Sequence, residues 1–207
     1  GLMQQLFPRE GETTPSLRFP EFRDAGEWEV KRLDQISMIN HPSGPIPDEF
    51  VYIDLESVVN GRLVQRRLIR RAGAPSRAQR VLTYGDVLFQ MVRPYQRNNL
   101  LCLFEDTETY VASTGYAQLR AFDDKRFLYH LLHVDTFVGS VIAKCTGSNY
   151  PAINPSDLAA IEVAVPQASE QQKIADCLSS LDEVIDLQTQ KLDALKAHKK
   201  GLMQQLF

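Results

Sequence analysis

Four stretches of the chain have the apolar pattern of β-strands. Residues 50–55 (FVYIDL) and 110–122 (YVASTGYAQLRAF) are rich in aromatic and β-branched side chains, which strands favour. Residues 161–165 (IEVAV) predict a further strand. Residues 81–92 contain two apolar runs, and Gly85 between them predicts a sharp turn from one strand to the next.

Residues 126–143 have the apolar spacing of a helix instead. Apolar side chains recur there at intervals of three and four residues, which places them on one helical face. They are Phe127, Leu131, Val134, Val138 and Val141. We therefore expect one buried helix. Because strands and helices are mixed in this order, the sequence predicts an α+β domain over residues 28–166, with Trp28 buried at its start.

Residues 169–206 carry a seven-residue repeat, in which apolar positions alternate spacings of four and three. We call the repeat positions the seam, in which two polar residues, Gln188 and Lys199, interrupt the apolar series and would fix its register: Ile174, Leu178, Leu181, Ile185, Gln188, Leu192, Leu195, Lys199, Leu202 and Leu206. The repeat predicts a helix of roughly 57 Å in an arm over residues 167–207. A seam this narrow and long favours a partner helix, because one domain cannot cover it. Packing of the helix on its own domain is the alternative.

The two ends of the chain have the same sequence. GLMQQLF occupies residues 1–7 and again residues 201–207. Residues 8–27 are rich in Pro, Glu, Arg and Gly and predict an extended connector. We therefore interpret residues 1–27 as the end of a preceding helical arm followed by a connector, so that the chain is one unit of a repeated architecture or a half-length protein.

Charge is distributed unevenly along the chain. The 207 residues carry a formal net charge of −3, with 43% hydrophobic and 24% charged residues, as in ordinary globular proteins. Residues 61–97 contain nine arginines and one acid, Asp86, which gives 9 − 1 = +8. None of these bases is lysine. Arginine makes forked contacts to phosphates and to guanine edges, so this stretch favours a nucleic-acid partner over a merely solvated face.

The sequence lacks the patterns that would indicate catalysis. There is no glycine-rich phosphate loop, and no nucleophile with a matching base. His130 and His133 have no third ligand at useful spacing, so we expect a buried pair without metal. The three cysteines are far apart, which suggests a reducing, cytoplasmic setting, and no apolar run is long enough to cross a membrane. We therefore predict a non-catalytic binding protein.

Several segments together resemble one half of the DNA-specificity subunit of type I restriction–modification systems. The resemblance covers nearly the whole chain, and its order and coverage carry it more than any single motif. The segments are LRFPEF (17–22), GEWEVKRLDQI (26–36), YIDLESV (52–58), YGDVLFQMVRPY (84–95), TGYAQLRA (114–121), TGSNYPAINPSDLAAIEVAVP (146–166) and SEQQKIADCLSSLDEVI (169–185).

The resemblance implies sequence-specific recognition of double-stranded DNA by a target-recognition domain. It further implies modification subunits as partners, which methylate DNA with S-adenosylmethionine, and an ATP-driven subunit for cleavage, so that no cofactor binds this chain itself. The alternative is a coiled-coil scaffold whose arginine-rich surface binds an acidic protein. A stand-alone nuclease is a further rival, for which we expect no cutting of DNA.

The candidate DNA contacts divide into two groups. For phosphates we predict Arg62, Arg66, Arg67, Arg70 and Arg71. For base edges we predict Gln90, Arg93, Gln96, Arg97, Asn98 and Asn99, together with Ser148, Asn149 and Tyr150 in a later loop. Arginine pairs best with guanine, and asparagine or glutamine with adenine.

The seam also predicts self-association. The resemblance implies that an intact subunit has two such units, whose long helices pair with each other, whereas here an identical helix can come only from a second copy. We therefore expect a two-fold homodimer through antiparallel 169–207 helices, with one recognition domain near each end. Two-fold symmetry would then require two identical, inverted half-sites in the DNA.

Overall fold

The computed structural model describes residues 1–42 and 44–206, except for the side chains of Gln205 and Leu206. The helices are α1 (Leu2–Leu6), α2 (Leu33–Ile36), α3 (Lys125–Leu131), α4 (Asp135–Ala143), α5 (Pro155–Ala159) and α6 (Ala168–Leu206). Short 3₁₀ turns lie at Pro20–Phe22, Arg71–Gly73 and Pro94–Gln96.

Twelve strands occur in the described part of the chain. They are β1 (Glu29–Arg32), β2 (Ser37–Ile39), β3 (Glu49–Ile53), β4 (Val58–Val59), β5 (Arg62–Leu63), β6 (Arg67–Arg70), β7 (Ala78–Val81), β8 (Val87–Gln90), β9 (Leu100–Leu101), β10 (Tyr110–Ser113), β11 (Tyr116–Ala121) and β12 (Glu162–Val165). This mixture of strands and helices confirms the predicted α+β class.

Two four-stranded sheets form the body. The first sheet has the order β2-β11-β8-β9 and is antiparallel throughout. The second has the order β6-β3-β10-β7, in which β3 and β10 are parallel and the other pairs are antiparallel. Strands β1 and β12 pair separately, as do β4 and β5.

The turn predicted at Gly85 is present but does not join neighbouring strands. Strand β7 ends in the second sheet and β8 begins in the first, so the chain changes sheets here. Gly85 has φ +88°, a left-handed conformation that suits glycine. The buried carboxylate of Asp86 accepts hydrogen bonds from the backbone N–H of Thr83 (2.8 Å), from Gln118 Nε2 (2.7 Å) and from Arg120 Nε (2.9 Å). These contacts stabilise the segment in which the chain passes from the second sheet to the first.

A large apolar core lies between the first sheet and the helices. It contains residues from β8, β11, β12, α3 and α4, together with the first turns of α6. A second core fills the space between the two sheets, with Val51, Leu88, Leu100 and Tyr116 among its members. Successive residues of β8 therefore face different cores, as the two-residue period of a strand requires.

The helix predicted over residues 126–143 is divided in two. All five residues on its predicted face are buried, but α3 ends at Leu131 and the chain is extended at Val134 before α4 begins. His133 occupies the break. Its Nδ1 lies 2.7 Å from the carbonyl oxygen of Tyr129, and its own carbonyl accepts a hydrogen bond from Arg97 Nη1 at 3.1 Å. The prediction of one helix is therefore wrong, because a distant loop stabilises the interruption.

The long helix α6 is present, but the seam has two kinds of surroundings. Ile174 and Leu178 are 1% and 5% exposed, because they pack into the main core of the same chain. The prediction that these two residues belong to a dimer seam is therefore corrected. The remaining seam positions with described side chains are exposed: Leu181, Ile185, Gln188, Leu192, Leu195, Lys199 and Leu202. The predicted contact of Leu206 lies outside the described side chains.

A buried ion pair fixes the start of α6 to the connector. Glu170 is 1% exposed, and its two carboxylate oxygens accept hydrogen bonds from Arg18 Nε and Nη2, each at 2.7 Å. Trp28 Nε1 donates to the same carboxylate at 3.3 Å. Trp28 is itself 3% exposed, in agreement with its predicted burial at the start of the domain.

Residues 1–7 pack on the body. Leu6 and Phe7 are each 2% exposed and belong to the main core. The Phe7 ring stacks on Phe127 at 5.3 Å between centroids and meets Trp28 edge-on at 6.1 Å. The predicted division into residues 1–27, 28–166 and 167–207 stays a prediction, and contacts cross both of its boundaries.

Candidate nucleic-acid interface

The predicted phosphate contacts lie on β5, on β6 and in the turns around them. Strand β6 is an edge strand of the second sheet, and it pairs with β3 so that Arg67 lies opposite Tyr52 and Arg70 opposite Glu49. Since side chains alternate along a strand, Arg67 and Arg70 point to opposite faces of this edge. The five arginines therefore do not form one flat patch. We call them the arginine edge: Arg62, Arg66, Arg67, Arg70 and Arg71.

Three of these arginines form ion pairs within the chain. Arg62 pairs with Asp186 of α6. Arg67 pairs with Asp54. Arg66 contacts two carboxylates of the loop before β10, Glu108 at 3.0 Å and Asp106 at 2.8 Å, and these partners raise the pKa of Arg66.

Such ion pairs do not prevent phosphate binding. The three guanidinium side chains are 45–49% exposed. Exposed ion pairs contribute only about 0–1 kcal/mol, because water screens them. A phosphate can therefore replace the carboxylate at little cost.

Four other arginines of the basic stretch have no carboxylate partner among the described residues: Arg70, Arg71, Arg77 and Arg80. Arg70 and Arg77 are exposed, and Arg71 donates only to the carbonyl oxygen of Ile46 at 3.1 Å. Arg80 on β7 is half-buried with its Nε unpaired, and burial lowers its pKa. Of these, Arg70 and Arg71 are among the predicted phosphate contacts, whereas Arg77 directly precedes β7, at the opposite edge of the second sheet from β6.

Two loops that are far apart in the sequence lie side by side. Residues 91–99 connect β8 to β9, and residues 146–152 lead towards α5. Val92 and Ala152 form a β-bridge, and the N–H of Arg93 donates to the carbonyl oxygen of Pro151 at 2.7 Å. We call these segments the paired loops.

The paired loops bring Arg93 and Tyr150 into contact. The Arg93 guanidinium lies 4.3 Å from the centroid of the Tyr150 ring, a cation–π arrangement. Tyr150 is 65% exposed, so the ring also presents a free face. A guanidinium group can donate hydrogen bonds to a base edge, and an aromatic ring can stack on a base. The structure thus brings together two of the predicted base-edge residues, and it places Ser148 and Asn149 exposed beside them.

Arg93 and Arg97 have an uncommon backbone conformation. Both have φ +54° and flank the 3₁₀ turn Pro94–Gln96. Left-handed conformations in residues other than glycine cost free energy and are enriched at functional sites. The loop is therefore held in a strained shape by contacts with the body.

Other predicted base contacts form the support of this loop. Gln90 is 2% and Asn99 0% exposed. Asn99 Oδ1 accepts the Gln90 N–H at 2.9 Å, and Gln90 Oε1 accepts the Asn98 N–H at 3.1 Å. The prediction that Gln90 and Asn99 reach base edges is therefore wrong, because their side chains point inward and are hydrogen-bonded.

Gln96, Asn98 and Arg97 are also engaged within the protein. Gln96 is exposed but accepts a hydrogen bond from Gln90 Nε2 at 2.8 Å, and Asn98 Oδ1 accepts the Asn60 N–H at 3.2 Å. Arg97 donates to Asp135 at 2.6 Å. Arg97 therefore joins the loop to the start of α4 and is less available to DNA than Arg93.

Sequence reasoning overlooked Tyr95. This residue lies in the 3₁₀ turn between the two strained arginines and is 51% exposed. An aromatic residue flanked by arginines within five positions is a signal for base stacking that the sequence does contain.

His130 is buried and His133 is half-buried, and no metal site surrounds them in the described part of the chain. Burial lowers the pKa of His130 to about 4 and also lowers the pKa of His133. His133 Nε2 faces Asn99 Nδ2 at 3.4 Å, which suits a neutral ring that accepts through Nε2. Among the described residues, no group of three or more His, Cys, Asp or Glu side chains could hold a metal ion. No described helix combines the length and apolar character needed to cross a membrane.

Comparison with known families places these features in context. The family model "Type I restriction modification DNA specificity domain" matches residues 85–197, more than half of the chain. The matched region includes both of the paired loops and most of α6. The edge strand β6 lies before it.

Curated relatives carry the same description. The chain is 24% identical to the type I restriction enzyme HindI specificity subunit of Haemophilus influenzae, over 76% of this chain and 35% of the relative. It is 29% identical to the type I restriction enzyme MjaVIII specificity subunit of Methanocaldococcus jannaschii, over 98% of this chain and 51% of the relative. The chain thus spans about a third to a half of the length of these relatives.

Solved structures agree with the sequence comparison. The HsdS subunit from Thermoanaerobacter tengcongensis matches with a TM-score of 0.64 and 27% identity, over 84% of this chain and 48% of that one. A chain from a structure described as the basis of complex assembly and conformational transition in the type I R-M system matches with a TM-score of 0.65 and 27% identity, over 82% and 46%.

Proposed function

Because this chain belongs to the type I restriction–modification DNA specificity family, we propose that its body recognises a specific sequence in double-stranded DNA. The observation that carries the proposal is the contact of Arg93 with Tyr150 between the paired loops. A strained arginine next to an exposed ring on adjacent loops can pair with a base edge and stack on a base.

The arginine edge has a different task in this proposal. Phosphate contacts position a protein on duplex DNA without reading its sequence, and base contacts supply the specificity. Arg70 and Arg71 would bind phosphates directly, whereas Arg62, Arg66 and Arg67 would exchange carboxylate partners for phosphates.

We propose that the chemical steps belong to other subunits. Methylation with S-adenosylmethionine would be carried out by modification subunits docked on this chain, and cleavage by an ATP-driven subunit. The role of this chain would be limited to choosing where they act. The scaffold alternative is less well supported, since the family assignment concerns DNA specificity.

Selection of duplexes tests recognition. We expect a pool of random duplexes selected on the purified chain to yield a preferred sequence that outcompetes shuffled duplexes. Arg93→Ala should relax the preference at one position, at a cost of about 1–3 kcal/mol. Arg23→Ala serves as the matched control, since Arg23 is exposed in the connector, outside both loops. Equal competition by every duplex would contradict the proposal and favour a scaffold.

Salt dependence tests the arginine edge separately. Replacing Arg66, Arg67 and Arg70 together by alanine should weaken binding to all duplexes alike. The slope of log affinity against log salt should fall by about 0.9 for each phosphate that the variant no longer binds. An unchanged slope would remove these three residues from the interface while leaving the proposal for the paired loops intact.

We further propose that the exposed part of the seam pairs with the same helix of a second copy. Leu181, Ile185 and Leu192 are 41%, 59% and 51% exposed, which leaves an apolar stripe along α6 uncovered. An antiparallel pair would bury both stripes. Light scattering should show a dimer for the parent chain and a monomer after these three residues are changed to glutamate. A monomeric parent would contradict this part of the proposal.

A further inference from the structure

Residues 1–7 lie in a groove on the body, where they make both apolar contacts and hydrogen bonds. The Phe7 ring lies against Phe127 and Trp28, and Leu6 is buried beside it. Leu17 donates its N–H to the carbonyl oxygen of Gln5 at 2.9 Å. The N–H of Asp135 at the start of α4 donates to Gln4 Oε1 at 3.2 Å. We call this the heptapeptide groove.

Each residue of the first heptapeptide that makes these contacts is repeated at the other end of the chain. Residues 201–207 have the same sequence as residues 1–7, GLMQQLF. Gln204 corresponds to Gln4, and Phe207 to Phe7. The helices also correspond, since α1 ends at Leu6 and α6 ends at Leu206. A groove that fits the first heptapeptide therefore has the chemistry to fit the second.

One chain cannot bring the second heptapeptide to its own groove. The groove lies near the start of α6, where Trp28 contacts Glu170. The helix is continuous from Glu170 to Gly201. At 1.5 Å per residue, the second heptapeptide therefore begins about 45 Å from the start of α6, where the groove lies. Leu202 and Met203 are 48% and 53% exposed, so that end of the helix is not seated on its own body.

We propose that the heptapeptide groove of one copy accepts residues 201–207 of a second copy, in exchange for its own residues 1–7. The occupant is the same sequence in both cases, so the exchange replaces each contact by an equivalent one. An antiparallel pair of α6 helices would bring each C-terminal end towards the start of the other helix, where the groove lies. The inference rests on the pairing of α6 helices proposed above, and it does not depend on DNA recognition.

The first heptapeptide competes with the second through its tether. Residues 8–16 keep it close to the groove, which corresponds to an effective concentration in the millimolar range for a short tether. Exchange therefore requires a high chain concentration, or pairing of the helices, which raises the local concentration of the second heptapeptide as well. Weakening the first heptapeptide should favour the exchange.

A labelled peptide tests the groove directly. The probe is fluorescein-GLMQQLF, with fluorescein-GLMQQAA as the control peptide, and binding is measured by fluorescence anisotropy. We expect saturable binding of the probe to the Phe7→Ala chain and about tenfold weaker binding to the parent, since the parent's own heptapeptide fills the groove. The control peptide should not bind. A folded Phe7→Ala chain that does not bind the probe would overturn the proposal.

A second variant keeps the test valid if Phe7→Ala fails to fold. Phe207→Ala changes the incoming segment and leaves the groove intact, and it should weaken self-association about tenfold in sedimentation experiments. Gln205→Ala is the matched control, because the corresponding Gln5 side chain is exposed, and it should associate like the parent. Association of Phe207→Ala equal to that of the parent would overturn the exchange.

The exchange can be separated from simple helix pairing. If the glutamate variant of Leu181, Ile185 and Leu192 is monomeric while Phe207→Ala still dimerises fully, helix pairing holds and the exchange is wrong. A parent chain that stays monomeric at its highest soluble concentration would also contradict the exchange between copies.

Discussion

The first three turns of α6 and the remainder of the same helix share one seam but differ in their surroundings. Ile174 and Leu178 are almost fully buried, at 1% and 5% exposure, whereas Leu192 and Leu195 are more than half exposed. The seven-residue spacing runs through both parts, although Gln188 and Lys199 are polar seam positions in the second part. The repeat therefore identifies which face of a helix is apolar and leaves open what covers that face.

The covered part is distinguished by polar residues that the repeat does not include. Glu170 is held by Arg18 and Trp28. Gln171 Nε2 donates to the carbonyl oxygen of Pro166 at 3.0 Å and lies 3.3 Å from Asp123 Oδ2. These buried hydrogen bonds fix the start of the helix on the body, because an unpaired buried polar group would be costly. We call residues 168–179 the covered turns and residues 180–206 the exposed arm.

The largest effect is expected at the anchor of the covered turns. Trp28→Ala should lower the free energy of unfolding by about 3–5 kcal/mol, because it leaves a cavity beside Phe7 and Phe127. Trp28→Phe keeps an aromatic ring, but it removes the hydrogen bond to Glu170 and leaves part of the indole volume empty, so it should cost about 1–3 kcal/mol, less than the alanine variant. Denaturant titration followed by circular dichroism measures both. An alanine variant as stable as the parent would contradict the anchor role.

A pair of truncations within the seam compares the two parts directly. Ile174→Ala should cost about 2–5 kcal/mol, as expected for a buried aliphatic residue. Leu195→Ala lies on the exposed arm and should change the free energy of unfolding of the body by less than about 0.5 kcal/mol. Measurements belong at a low chain concentration, where self-association does not contribute. Equal costs at the two positions would mean that the arm is covered in solution.

Acid should weaken the boundary between the two parts. His130 faces Ser179 at 3.4 Å and Asp182 at 4.0 Å on α6, and His133, Asp124 and Arg126 are the other charged or titratable groups near it. Burial lowers its pKa from 6.5 to about 4, so the unfolded chain takes up a proton at a higher pH than the folded chain does. Stability is then complete above about pH 6.5 and falls by up to about 3 kcal/mol as the pH decreases towards 4.

Two glutamine variants identify the source of this pH dependence. His130→Gln should reduce the loss of stability between pH 6.5 and 4 in denaturant titrations. His198→Gln is the matched control, since His198 is exposed on the arm and should leave the pH profile unchanged. A profile that is the same in parent and His130→Gln would assign the acid sensitivity to other groups.

The smallest effect is expected at the last contact between the body and the arm. Arg62 on β5 forms an exposed ion pair with Asp186, well beyond the covered turns. Arg62→Ala or Asp186→Ala should each change stability by at most about 1 kcal/mol, and the double variant should show little coupling energy. A coupling well above this value would extend the covered part of the helix to Asp186.

As with the seam, the sequence pattern identifies the strands but does not show which elements pack or pair with them. The sequence predicts one strand over residues 110–122, but β10 and β11 belong to different sheets and are separated by a turn at Thr114 and Gly115. The β-forming residues on either side are correctly recognised. Their assignment to different sheets depends on pairing with strands from distant parts of the chain, which local composition does not contain.

The candidate site was predictable in its composition and less so in its orientation. The arginine-rich stretch and the loop with Tyr150 stand out from residue types alone. Gln90 and Asn99 point inward because they form hydrogen bonds that exist only in the folded chain. One of these bonds joins Asn99 to His133, which lies at the break between α3 and α4. Side chains with equal chemistry therefore divide into reading and supporting roles only in three dimensions.

The parallel pairing of β3 with β10 has a consequence for the order of folding. Tyr110 lies opposite Val51, so almost sixty residues of chain must be closed into a loop before this pair can form. Strand β6 is closer to β3 along the chain, since Ile69 pairs with Phe50 and the loop between them is much shorter. Long-range closure is slow compared with local hairpin formation. We therefore expect the antiparallel pair of β3 and β6 to form early, and the addition of β10 to β3 in the second sheet to be the step that limits the folding rate.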